Sequence, residues 1–162
     1  MGIFDNKNRL GRLLYFYFFT YFFIAQSVVS ETILGPQYLK YELSWCIKSM
    51  QCLALEVADT PLKRRIGLMK RPSLKKGSGM IFIFQKPVIK KFWMFNTLIP
   101  LDIIFVKNNK IIYLEKNVPI CTEKPCSVYG PENYFDYAIE LNSGDIERLN
   151  IKLRDQVELL RI

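Results

Sequence analysis

Histidine is absent from the sequence. That removes Ser-His and Cys-His nucleophile pairs, histidine-containing zinc sites and imidazole general-base catalysis. Any chemistry falls to carboxylates, lysine, tyrosine or cysteine. Acidic residues are missing from one long stretch: none stands between Asp59 and Asp102, where there are ten bases, running from Lys63, Arg64 and Arg65 to Lys90 and Lys91. From Glu115 onward nine acids face six bases. The formal charge of +8 is therefore polarised. Such a surface attracts anionic partners on one side, or is simply a solvated basic face. No internal repeat and no low-complexity tract follows residue 30. With 162 residues there is room for one core and not for two.

The chain begins with an address. Lys7, Arg9 and Arg12 precede Leu13 to Ala25, a run of 13 apolar and aromatic residues broken only by Thr20. A basic start followed by such a run is the layout of a secretory signal peptide. Val28-Val29-Ser30 offers a cleavage site before Glu31, and Ala25-Gln26-Ser27 offers another. The competing reading is an uncleaved anchor attaching the chain to a membrane through residues 13–29. That is 17 residues, weakened by Gln26 and Ser27, against the roughly 20 needed to span a bilayer. A buried core helix is the third reading, to which a run so rich in Phe and Tyr is poorly suited. Either of the first two exports the chain, to a periplasm, to the exterior, or tethered and facing outward.

Cys46, Cys52, Cys121 and Cys126 fit that address, being an even set in a compartment that favours disulfides. Four cysteines permit three connectivities. Local pairs, Cys46 with Cys52 and Cys121 with Cys126, are favoured because each closes a short loop beside plausible strands. A four-thiolate zinc site competes poorly, since Cys46-x₅-Cys52 misses the usual knuckle spacing. No metal and no cofactor is implied.

Periodicity divides the chain into residues 1–30 (signal or anchor), 31–52 (an extension with Cys46 and Cys52) and 53–162 (one domain). Leu53 to Val57 alternates as a half-buried strand. Thr60-Pro61 starts a short amphipathic helix of two or three turns, ended by Pro72. Met80 to Phe84 is a strand buried on both faces, and Lys91 to Phe95 another. Ile103 to Val106 and Ile111 to Leu114 form a hairpin about Asn108-Asn109. Asn117 to Asn133 is a long clamped loop, followed by a strand at Tyr137 to Leu141, a short helix or turn at Gly144 to Leu149 and a strand at Val157 to Ile162. About seven short strands with one or two short helices predict a mainly β (α+β) fold, a compact barrel or sandwich.

One segment breaks ordinary patterning: Phe92-Trp93-Met94-Phe95-Asn96-Thr97-Leu98-Ile99-Pro100-Leu101-Asp102. Asn96, Thr97 and Asp102 are polar residues in an apolar run. A buried Asp102 needs a partner, and Arg64 or Arg71 from the basic helix could supply one. Together with Glu56-Val57-Ala58, Thr60-Pro61-x-x-Arg64-x-x-Gly67-Leu68-Met69-x-Arg71, Gly79-Met80-x-Phe82-x-Phe84, Val118-Pro119, Cys121, Pro125-Cys126, Tyr129-Gly130-Pro131 and Ile139-Glu140-Leu141, this run resembles the uncharacterised family called domain of unknown function 192. The resemblance runs from about Leu55 to Ile162. It implies a compact, mainly β fold, often behind a signal peptide, with no assigned activity. One departure lies near the end: Asn150 and Arg154 stand where that family usually has glycine. Asn accepts a left-handed backbone more readily than Arg does.

The segment supports a binding module for an anionic small molecule, lipid or glycan of the cell envelope. Arg64 and Arg71 would grip the anion, Trp93 and Met94 would supply apolar and stacking surface, and Asn96, Thr97 and Asp102 would orient it. The bland alternative is a corner motif in which Arg64 bridges to Asp102 and the aromatics fill the core, in a purely structural or interaction domain. A third reading is a carboxylate-based, glycan-cleaving enzyme with Asp102 and Glu140 as its acid pair. Nucleic acid is disfavoured as a partner by the export signal. The sequence does not set the oligomeric state.

Overall fold

The computed structural model describes residues 35–48 and 51–162. Residues from Pro36 to Ile162 form one compact unit, which carries everything below. The signal or anchor expected over residues 1–30, with its membrane-attachment segment 13–29, lies outside the described residues.

The elements run β1 (Tyr41–Ile47), β2 (Gln51–Ala58), α1 (Pro61–Ile66), β3 (Ser78–Val88), β4 (Phe92–Trp93), β5 (Leu101–Lys107), β6 (Lys110–Val118), β7 (Val128–Tyr129), β8 (Phe135–Asn142), α2 (Asp145–Arg148) and β9 (Leu159–Arg161). Seven strands form one sheet in the order β6-β5-β8-β3-β2-β1-β9, and β4 pairs with β7 as a small separate ribbon. β2 and β3 are parallel, joined by a crossover that carries α1. The other pairings in the large sheet are antiparallel.

Side chains alternate across a strand, and here both faces are covered. Leu55, Ile81, Ile104, Val106 and Ile139 belong to one core, together with Trp45, Ile146 and Val157. Met80, Phe82, Ile103, Phe105 and Ala138 belong to the other, with Leu68, Met94 and Phe135. Double burial is why Met80 to Phe84 in β3 and Ile103 to Val106 in β5 read as unbroken apolar runs. The Asn108-Asn109 hairpin forms as expected, with both residues left-handed (φ 50° and 56°). Such a two-residue turn matches the twist of the strands it joins.

The structure corrects three expectations. The sheet does not close into a barrel. Its edges are β6 and β9, and β9, at three residues, is too short to pair along β6. Among the described residues the backbone leading into β9 reaches β6 through Arg154 N–H to Ile111 O (2.8 Å) and Ile111 N–H to Asp155 O (3.1 Å), and reaches the turn before β6 through Val157 N–H to Asn109 O (2.8 Å). Second, residues 41–47 are no extension: β1 lies within the sheet between β2 and β9 and buries Trp45. Third, α1 is shorter than two full turns. Thr60 caps it, its hydroxyl accepting from Lys63 N–H at 3.2 Å, and Gly67 ends it at φ 50°. A Cβ at Gly67 would stand 3.2 Å from the Phe82 ring, so glycine lets the helix end settle onto the sheet.

Both local disulfides are present. Cys46 and Cys52 face each other across β1 and β2, and Cys121 pairs with Cys126 in the long loop. Two disulfides suit an oxidising location. Among the described residues no helix is long and apolar enough to cross a membrane, and no cluster of potential metal ligands occurs.

Candidate functional site

A cavity of about 330 Å³ opens between α1, its C-terminal loop and the β3–β4 connection. Each wall has a local origin. The crossover from β2 to β3 lays α1 over the sheet, contributing Arg64, Arg65, Gly67 and Leu68. The strand face beneath supplies Phe82, Phe84 and Glu140. On the opposite side stand Lys90, Lys91, Phe92 and Trp93, held by pairing of Phe92 with Tyr129 and of Trp93 with Val128. The rings of the aromatic wall pack edge to face. Phe92 meets Phe82 edge-on at 5.2 Å and Phe105 at 5.4 Å, and Phe84 meets Phe135 at 5.6 Å.

Glu140 distinguishes this cavity from a gap in the core. Its side chain shares a face with Met80 and Ile103, its partners on the neighbouring strands, and the residue is 6% exposed. Among the described residues nothing donates a hydrogen bond to its carboxyl group. Burial pushes its pKa up to about 8, against a smaller opposing pull from the Arg71 guanidinium. Burial thus favours the protonated form of the group.

The rim is cationic. Arg64 Nη1 donates to Asp59 O and Ile83 O (2.6 and 2.8 Å), and its guanidinium lies over the Phe84 ring. Lys91 is engaged with Gly130 O and Glu132. Arg65 and Lys90 are exposed at the mouth, with no acidic partner among the described residues.

The residues predicted from sequence are dispersed. Arg64, Trp93 and Thr97 line the cavity. Trp93 is 46% exposed, while Thr97 is buried in the turn where its N–H donates to Met94 O. Asn96 holds that corner at φ 61° and accepts from Lys70 N–H through its carbonyl (2.7 Å). Arg71 is no anion grip. Buried at 2% exposure, it forms a two-pronged pair with Glu56 (2.7 and 2.6 Å), donates from Nε to Gln37 O (2.6 Å) and lies over the Tyr38 ring.

Asp102 is paired with neither arginine. Fully buried, it accepts from Asn117 N–H and from Ile146 N–H at the start of α2, each at 2.8 Å. The Asp102–Glu140 acid pair also fails on geometry. Asp102 stands opposite Leu141 and Glu140 opposite Ile103, so the two carboxyl groups project from opposite faces of the sheet. Sequence reasoning did not assign Arg65, Lys90, Phe82, Phe84 and Phe92 to the site, and held Glu140 only for the failed pair. The available signal was alternation in Ala138-Ile139-Glu140-Leu141, which sets a carboxylate on the same face as a buried alanine.

Among known proteins, residues 45–159 match the family model DUF192, described as Uncharacterized ACR. A UPF0127 protein of Thermococcus sibiricus is 27% identical over 104 residues, 64% of each chain. The chain thus spans just under two thirds of that relative's length. A protein of unknown function from Novosphingobium aromaticivorans, known from a crystal structure, is similar at TM-score 0.65 and 30% identity, over 78% of this chain and 94% of that one. Another crystal structure, of a proposed transcription regulator from Sinorhizobium meliloti, gives TM-score 0.65 at 27% identity, over 77% of this chain and 98% of that one.

Proposed function

This chain belongs to the DUF192 family, and we propose that it is an exported binding module whose cavity takes a small amphiphilic organic anion. The reading rests on one observation: four cations, Arg64, Arg65, Lys90 and Lys91, line an aromatic-walled cavity whose only acidic lining residue, among the described residues, is the buried Glu140. Cations at the mouth of a low-dielectric cleft focus the field and favour an anion. The apolar body of such a ligand would pack against Phe82, Phe84, Phe92 and Trp93. This favours an acid with a hydrophobic body over a glycan, which would ask for more polar lining groups. Export rests on the basic and apolar layout of residues 7–25 with the two disulfides. It would place the cavity among envelope lipids and their breakdown products.

Titration calorimetry with para-isopropylbenzoate, and with the neutral para-isopropylbenzamide as control, tests this reading. Saturable binding of the acid should weaken several-fold on raising salt from about 50 to about 500 mM. In an Arg65→Glu/Lys90→Glu variant it should weaken about ten-fold or more. Equal binding of acid and amide, or an acid affinity unmoved by both salt and charge reversal, would count against it.

A further inference from the structure

Glu140 shows what the buried end of the ligand must carry. We propose that its carboxylic acid is the specificity group of the cavity, donating a hydrogen bond to an uncharged acceptor oxygen on the ligand's inner end. The preferred class is then an organic acid whose apolar body ends in a carbonyl, ester or hydroxyl group. This deepens the reading of the cavity as an anion site and rests on it.

The geometry carries the inference. Glu140 lines the cavity, is 6% exposed and has no hydrogen-bond partner among the described residues. A carboxyl group held in a buried pocket without a donor is unfavourable, and structural roles normally come with partners. Asp102 shows the contrast within this chain, with two backbone N–H donors. Glu56, two strands away on the same face, is likewise satisfied, accepting both prongs of Arg71 and the N–H of Leu39. Glu140 is the buried carboxyl on this face that faces a cavity instead of a donor.

Two ligand chemistries could satisfy it: an acceptor meeting the protonated acid, or an ammonium meeting the carboxylate. The charged surroundings decide between them. Arg64 and Arg65 on α1 and Lys90 and Lys91 after β3 line the cavity, and Arg71 lies close behind, already neutralised by Glu56 on β2. An ammonium group would have to pass Arg64, Arg65 and Lys90, which form no ion pair among the described residues, while Lys91 is held by Glu132. The proton on Glu140 avoids that conflict, and burial favours the protonated form.

The test compares para-acetylbenzoate and its longer homologue para-acetylphenylpropionate, each against its isopropyl counterpart, by calorimetry between about pH 6 and pH 9. On the wild type at about pH 6.5, at least one acetyl acid should bind about ten-fold tighter than its isopropyl match, an advantage that fades above about pH 8 as Glu140 loses its proton. Glu140→Gln keeps a donor and should retain part of the preference without the pH dependence. Glu140→Leu should lose the preference yet still bind both acids in a salt-sensitive way. Equal affinities for both members of each pair, with salt-sensitive binding intact, overturn this inference and leave the anion site standing. Acetyl preference persisting in Glu140→Leu overturns it too, as does tighter binding with rising pH. Failure of all four acids to bind overturns the anion site, and this inference with it.

Discussion

Glu140 favours its protonated form because it is buried with no donor among the described residues to stabilise the anion, and that has a consequence for folding. Its pKa rises from an ordinary 4.5 to about 8 on folding. Between those values the native state binds more protons than the unfolded chain, so this group's contribution to stability falls as pH rises. The decline amounts to at most about 1.4 kcal/mol per pH unit and ends near pH 8. Glu140→Gln lacks it. In urea unfolding, the variant should gain on the wild type steadily from about pH 5 to pH 8 and hold that gain above; a difference that stays flat across the range would contradict the buried acid. Two other residues mark strain. Asn150 and Arg154 are left-handed (φ 51° and 72°), at the positions where the sequence departs from the glycines of its family. Arg pays for that conformation where glycine does not, so Arg154→Gly should stabilise by about 1 kcal/mol in the same assay. The left-handed turn was legible from the resemblance. Glu140 as a site residue was not: one carboxylate in a strand says which face it occupies, and only the crossover above it makes a cavity there.

The element that builds the cavity is α1, and its position depends on residues far away in sequence. Gln37 donates from its side-chain amide to Lys63 O (2.7 Å) and Gly67 O (3.0 Å), Leu39 N–H bonds Glu56, and Arg71 bonds Glu56 and Gln37 O. Residues 37–39 thus strap the helix end to the sheet through a buried ion pair. Arg71→Ala leaves Glu56 buried without its partner and should cost roughly 3–5 kcal/mol, with faster amide exchange at Leu39. Normal stability in that variant would contradict the strap. The strap was hidden in the sequence because it joins residues 15 to 34 apart. The hairpin and the capped start of α1 were legible because their signals are local, Asn108-Asn109 and Thr60-Pro61. β1 was missed for a different reason. Leu43, Trp45 and Ile47 alternate, but residues 31–52 read as an extension ahead of the domain, and three alternating residues do not say which sheet they join.

At the scale of the molecule, the sheet is covered on both faces and the rim of its cavity is drawn from the acid-free stretch between Asp59 and Asp102. The export reading has its own check. Protein recovered from its native compartment should show no titratable thiols without reductant, and its first residue should lie near Glu31, or Met1 should be retained on an outward-facing anchor. Four free thiols on a cytosolic chain would contradict that address.

The central claim is that a protonated Glu140 at the floor of the cavity meets a ligand. Carboxyl-carbon NMR of Glu140, titrated with and without saturating para-acetylbenzoate or para-acetylphenylpropionate, tests it most directly. The account predicts a midpoint near 8 in the free protein, moving higher when the acid binds, since the ligand accepts from the protonated form. A midpoint in the ordinary carboxylate range, or one that neither bound acid shifts, would contradict it.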